Sequence, residues 1–161
     1  MIERVISGAQ SGADQGGLDG ALAHWGEPSR IGGWCPAGRR SEDGPIPLKY
    51  PLQETEEWAY PPRTKLNIQD SDGTVVFTAG EPTGGSKLTL ELASQIRAFL
   101  HIDVSLQGHE DATEAIVDWV DACGIEVLNV AGSRESSLPG IHDYVAETIQ
   151  RVLKEIGTPP C

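Results

Sequence analysis

Three times along the chain an apolar, strand-like segment runs into a short turn of small and polar residues and then into a helix-like stretch. The first is Ile2 to Ser7, then Gly8-Ala9-Gln10-Ser11-Gly12, then Ala13 to about Trp25. The second is Gly73 to Ala79, then Thr83-Gly84-Gly85-Ser86 and a helix to about Arg97. The third is Ile125 to Val130, then the polar loop Ala131 to Pro139 and a helix from Gly140 to Ile156. Strands alternating with helices pack as a parallel sheet covered on both faces, because each crossover helix must return the chain to the same end. The crossovers are expected to be right-handed. Arg30 to Trp34 and Ala98 to Val104 supply two further strands, and His109 to Cys123 a helix with Ala112, Ile116, Trp119, Val120 and Cys123 at helical spacing. The expectation is an α/β, Rossmann-like parallel sheet of five strands.

At 161 residues the chain has the length of one domain, 1–161, with a core that needs no staples. Six of eleven prolines fall between Cys35 and Pro62, so a long Pro-rich loop is expected at about 35–62. Arg63 to Gln69 reads as a short helix. The tail Thr158 to Cys161 is expected to fray.

Twelve Lys and Arg against twenty-four Asp and Glu give a net charge of −12. A nucleic-acid strand is therefore excluded as a general partner, since displacing phosphate counterions takes basic residues. A membrane partner is excluded likewise, for want of a polybasic surface or a bilayer-long apolar run. Three widely spaced cysteines, Cys35, Cys123 and Cys161, form no disulfide framework, and no signal-type apolar region opens the chain; the expected compartment is the cytoplasm. His24, His101, His109 and His142 are scattered, so no metal site is expected.

In an open parallel sheet, ligands bind beyond the carboxyl ends of the strands. Glycine turns there present successive backbone N–H groups to an anion, and the following helix adds its positive end. The candidate ligand-binding residues are therefore Gly8, Gln10, Ser11, Gly12 and Asp14 at the first turn. Thr83, Gly84, Gly85 and Ser86 follow at the second, and Gly132, Ser133 and Arg134 at the third. Arg39, Arg40, Arg63, Lys65, Lys87 and Arg134, half of the cations, fall in or beside the proposed site, which predicts a small positive mouth in a negative protein. Trp34 could cover a flat ring. The spacing is not GxGxxG, no acid ends the second strand, and there is no GxxxxGK[ST]; a dinucleotide or Walker-type site is not expected.

These segments carry a resemblance. Gly8-Ala9-Gln10-Ser11-Gly12-Ala13-Asp14, the run from Gly32-Gly33-Trp34-Cys35-Pro36 through Gly38-Arg39-Arg40 and Glu42-Asp43-Gly44 to Pro45-Ile46-Pro47, and Leu128 to Ser136 resemble the molybdenum (molybdopterin) carrier proteins. That family is a circularly permuted, Rossmann-like relative of the LOG, lysine-decarboxylase-like proteins. The resemblance implies the spatial strand order 2-1-5-3-4, and a homo-oligomer, with a dimer favoured. It implies a carrier for a small anionic ligand: molybdenum cofactor with its pterin phosphate, a nucleotide, or molybdate. It also implies an alternative. LOG-type enzymes hydrolyse the N-glycosidic bond of nucleoside monophosphates, and their PGGxGTxxE motif and upstream arginine fall on Glu91 and Arg63, which would be the catalytic pair. Lys87 and Leu88 stand where that motif has its third glycine and threonine.

Overall fold

The structure, a computed structural model, describes residues 1–157; the tail Thr158 to Cys161 lies outside them. The chain runs β1 (Arg4–Ile6), α1 (Ala13–Trp25), β2 (Ile31–Gly32), β3 (Trp34–Cys35), β4 (Gln53–Glu54), α2 (Tyr60–Gln69), β5 (Gly73–Thr78), α3 (Gly84–Ile96), β6 (Ala98–Asp103), α4 (His109–Cys123), β7 (Val127–Gly132) and α5 (Ile141–Ile156). The main sheet is parallel throughout and ordered β2-β1-β7-β5-β6. β7, near the end of the chain, therefore lies between β1 and β5.

The expected order of 2-1-5-3-4 counts five strands, and among the described residues the chain forms seven. The second expected strand is broken in two at Gly33, whose φ is +131°. A Cβ there would sit 1.9 Å from the Ser7 carbonyl oxygen, so only glycine lets the chain pass so close to the end of β1. Beyond the break, β3 pairs with β4 in a separate two-stranded parallel sheet. The Pro-rich segment is thus not all loop. Its last residues also belong to α2, which starts at Tyr60 rather than Arg63. Pro61 sits in the first turn, where its missing N–H costs no helical hydrogen bond.

Right-handed crossovers from β1 to β2 and from β5 to β6 run in opposite directions along the sheet, which puts α1 and α3 on opposite faces. α1, α5 and α4 pack in a row on one face, and α2 packs beside α3 on the other. The small residues of α1 permit close approach: a Cβ on Gly20 would lie 2.5 Å from the Ala146 carbonyl oxygen of α5. The core between the layers holds Leu18, Val75, Phe77, Ile116, Leu128 and Val145, all fully buried. Each such aliphatic or aromatic side chain stabilises the fold by about 1.5–3 kcal/mol. Cys35 is buried in the same core. No helix among the described residues is long and apolar enough to cross a membrane.

Candidate functional site

A cleft of about 540 Å³ opens where the carboxyl ends of β1, β5 and β7 meet the helices that follow them. Its lining brings together Gln10 and Asp14 from the first turn, Thr83, Gly84, Gly85 and Ser86 from the second, and Gly132, Ser133 and Arg134 from the third. Tyr60 and Arg63 of α2 complete it.

At the base, Arg63 Nη1 lies 3.3 Å from Asp14 Oδ2, and both side chains are largely buried. The N–H of Gln10 donates to the same carboxylate oxygen at 3.3 Å. Burial raises the Asp14 pKa, against the pull of Arg63, the Gln10 N–H and Arg134. Burial likewise lowers that of Arg63, against the attraction of Asp14. A guanidinium does not deprotonate in a protein, so the pair stays anchored by a positive Arg63. Gly8 is not among the residues that line the cleft. It is the space for Arg63: a Cβ on Gly8 would meet Nη1 at 1.9 Å.

Tyr60 organises the positive charge. The guanidinium carbons of Arg40, Arg134 and Arg63 lie 4.4, 4.7 and 5.7 Å from its ring centroid. Stacking on an aromatic face holds an arginine without consuming its N–H donors. Arg134 forms no ion pair among the described residues, so its donors remain for an incoming acceptor. Arg40 does not line the cleft and donates to the Trp58 carbonyl at 3.0 Å. Across the cleft, α3 starts at Gly84 with no side chain capping its first N–H groups. An added Cβ at Gly84 or Gly85 would meet nothing within 4 Å. An uncapped helix start carries partial positive charge and free donors.

Other expected site residues lie elsewhere. Arg39 is folded into the Pro-rich segment, where its guanidinium donates to the carbonyls of Ile46, Pro47 and Tyr50. Its donors close a loop. Trp34 covers no ring in the cleft: its Nε1 donates to Asp70 at 2.7 Å and its N–H to Asn67 at 2.8 Å. Lys65 is exposed, and Lys87 stands 4.0 Å from Glu91 on the solvent side of α3. Glu91 itself is exposed and does not line the cleft. The carboxylate that does is Asp14, in the first turn of α1. Ser11 and Gly12 are taken up by the protein. Ser11 Oγ donates to Glu42, and the Gly12 backbone, at φ +84°, packs so tightly on the third turn that a Cβ would lie 2.4 Å from the Ser133 carbonyl oxygen.

Two residues of this region are not among the site candidates that the sequence singles out. Tyr60 stands just before Pro61-Pro62 and is submerged in the apparent loop. Its signal was the helix-opening proline pair itself. Glu42 belongs to the motif that carries the family resemblance, but its sequence context does not show that it meets Ser11 and Ser136. Among the described residues no group of three His, Cys, Asp or Glu could hold a metal ion.

Residues 5–153 match the family described as the circularly permutated YpsA SLOG family. The fold is similar to a crystal structure described as "Putative molybdenum carrier protein" from Syntrophus aciditrophicus SB. The identity is 40% and the TM-score 0.89, over 94% of this chain and 95% of that one. No curated protein matches the chain.

Proposed function

The chain belongs to the circularly permutated YpsA SLOG family, and from that premise we propose that its cleft binds one small, phosphate-bearing or oxyanionic ligand. One observation carries this reading. The uncapped start of α3 faces Arg134 and Arg63 across a single cleft, so donors and positive charge converge from two sides on the same space. Helix starts and guanidinium forks are the protein groups best suited to a tetrahedral oxyanion.

The name of the solved relative points to molybdenum as cargo. The residues here fit the anionic oxygens of such a ligand, molybdate or the phosphate of a pterin cofactor. They offer no side-chain cluster for gripping a metal centre directly. Tyr60 and the cleft volume leave room for a flat ring beside the anion. Binding and release need no chemistry at the chain, which suits a carrier. The alternative of N-glycosidic hydrolysis through Glu91 has no support from geometry, because that carboxylate faces Lys87 and solvent.

Calorimetric titration with molybdate, inorganic phosphate, a nucleoside monophosphate and a pterin phosphate tests the reading. At least one is expected to bind with one-to-one stoichiometry. Binding should weaken about tenfold or more on Arg134→Ala, the equivalent of about 1.4 kcal/mol. Failure of all four to bind would refute it, and release of free base from the nucleoside monophosphate would replace the carrier reading with an enzymatic one.

A further inference from the structure

Outside the lining of the cleft, the turns following β1 and β7 converge on a carboxylate. Ser11 Oγ donates to Glu42 Oε1, Ser136 Oγ donates to Oε2 at 2.5 Å, and the Ser136 N–H reaches Oε1 at 3.4 Å. The Glu135 N–H donates in turn to Ser11 Oγ at 3.3 Å, which orients that hydroxyl. These donors come from two separate turns, at the carboxyl ends of two adjacent parallel strands. That is the crevice in which an open α/β sheet binds anions. Here the anion is supplied by the protein's own Pro-rich segment, and by a residue that is exposed to solvent.

We propose that Glu42 is an internal stand-in for a ligand. Ser11 and Ser136 form a second oxyanion subsite, contiguous with the arginine cleft, which takes a carboxylate or phosphate group when the segment carrying Glu42 swings out. The two subsites share Arg134: its charge acts on Asp14 in the cleft and on Glu42 outside it. The hydrogen bonds from Ser11 and Ser136 hold the Glu42 carboxyl below its ordinary pKa, so at neutral pH a charged group occupies the subsite and an incoming anion must compete with it. The ligand class this implies carries two acidic groups, one for each subsite. The proposal builds on the anion-binding reading of the cleft but has its own donors and its own test.

Inorganic phosphate is the probe, titrated calorimetrically into the full chain as wild type, Glu42→Gln and Glu42→Ala, each with and without Ser136→Ala. The expected result is one more phosphate bound per chain in the Glu42 variants than in wild type. The extra event should have a Kd at least about tenfold below any second event in wild type, and it should vanish when Ser136→Ala is added. Equal stoichiometry and affinity in all three proteins would overturn the proposal. So would an extra event indifferent to Ser136→Ala. A drop in urea midpoint without a new phosphate site would mean that Glu42 only ties the segment down. If Glu42→Ala does not fold, Glu42→Gln keeps the shape without the charge and decides the question alone. If wild type binds no phosphate while Glu42→Gln binds one in a Ser136-dependent way, the subsite stands and the cleft reading is decided by its other three ligands.

Discussion

The turn after β1 and the turn before α3 are alike in sequence, both built of glycine and small polar residues ahead of a helix, and unlike in what surrounds them. In the first, protein atoms take the polar groups. The Ala9 N–H donates to Ser7 Oγ at 3.0 Å, the Gln10 N–H to Asp14, the Ala13 N–H to the Ser133 carbonyl at 3.0 Å, and Ser11 Oγ to Glu42. Neither α1 nor α3 has a side-chain cap, but in the second turn the space over Gly84 and Gly85 is open. A glycine turn at the right sheet edge is therefore only a potential anion cradle. Whether it serves a ligand depends on whether the fold has already filled it.

The largest effect expected from this contrast is at Arg63, which completes the filled turn. Arg63→Ala leaves the Asp14 carboxylate buried without its partner, and should lower the unfolding free energy by about 3–5 kcal/mol, measured by urea denaturation. A loss under about 1 kcal/mol would mean that the pair is not what holds the turn.

Next comes a matched glycine pair. Gly12→Ala forces a Cβ onto the Ser133 carbonyl at a positive φ, and should cost about 2–3 kcal/mol by the same assay. Gly85→Ala meets open space, so stability should stay within about 0.5 kcal/mol. Similar losses at both positions would erase the distinction between the two turns.

A smaller effect concerns the helix that the filled turn begins. Asp19 of α1 accepts from Tyr50 at 2.7 Å, lies 3.3 Å from Lys49, and is 2.7 Å from His142 Nε2, while His142 Nδ1 is 2.8 Å from Asp143. The His142 N–H also reaches Glu135 at 3.3 Å. Burial opposes the imidazolium, but the hydrogen bonds to Asp143 and Asp19 outweigh it and raise the His142 pKa. A raised histidine stabilises the fold fully below its unfolded pKa, near 6.5, and the benefit is lost as pH rises through the folded value. His142 is partly exposed, so solvent screening keeps this below about 1 kcal/mol. Urea midpoints should fall slightly from pH 6 to pH 9 in wild type, with a flatter profile in His142→Gln. Identical slopes would remove His142 from the closure of that end.

How much of this was legible in the sequence follows the range of the interactions. α1, β5, α3, β6 and α4 are set by local patterns, such as Ala112, Ile116 and Val120 recurring on the buried face of α4. The glycine turns were legible as geometry. Which of them is filled was not, because the filling atoms come from far along the chain: Arg63 meets Asp14 across 49 residues, and Glu42 meets Ser136 across 94. Arg39 and Arg40 show the same limit. Neighbours in sequence and identical in chemistry, one is spent on three carbonyls and the other lies against Tyr60. The glutamate of the LOG-type motif was placed by resemblance, and the helix face it occupies turns it away from the cleft.

The direct test of the open turn as an anion site is the urea midpoint of wild type and Arg134→Ala as inorganic phosphate is raised. The expected wild-type curve climbs with the logarithm of phosphate, reaching about 2.7 kcal/mol of added stability at one hundred times the Kd. Arg134→Ala should stay nearly flat over the same range. Two curves that rise together would contradict the assignment of this cleft as the place where the anion binds, and a wild type that does not respond at all would exclude phosphate as its ligand.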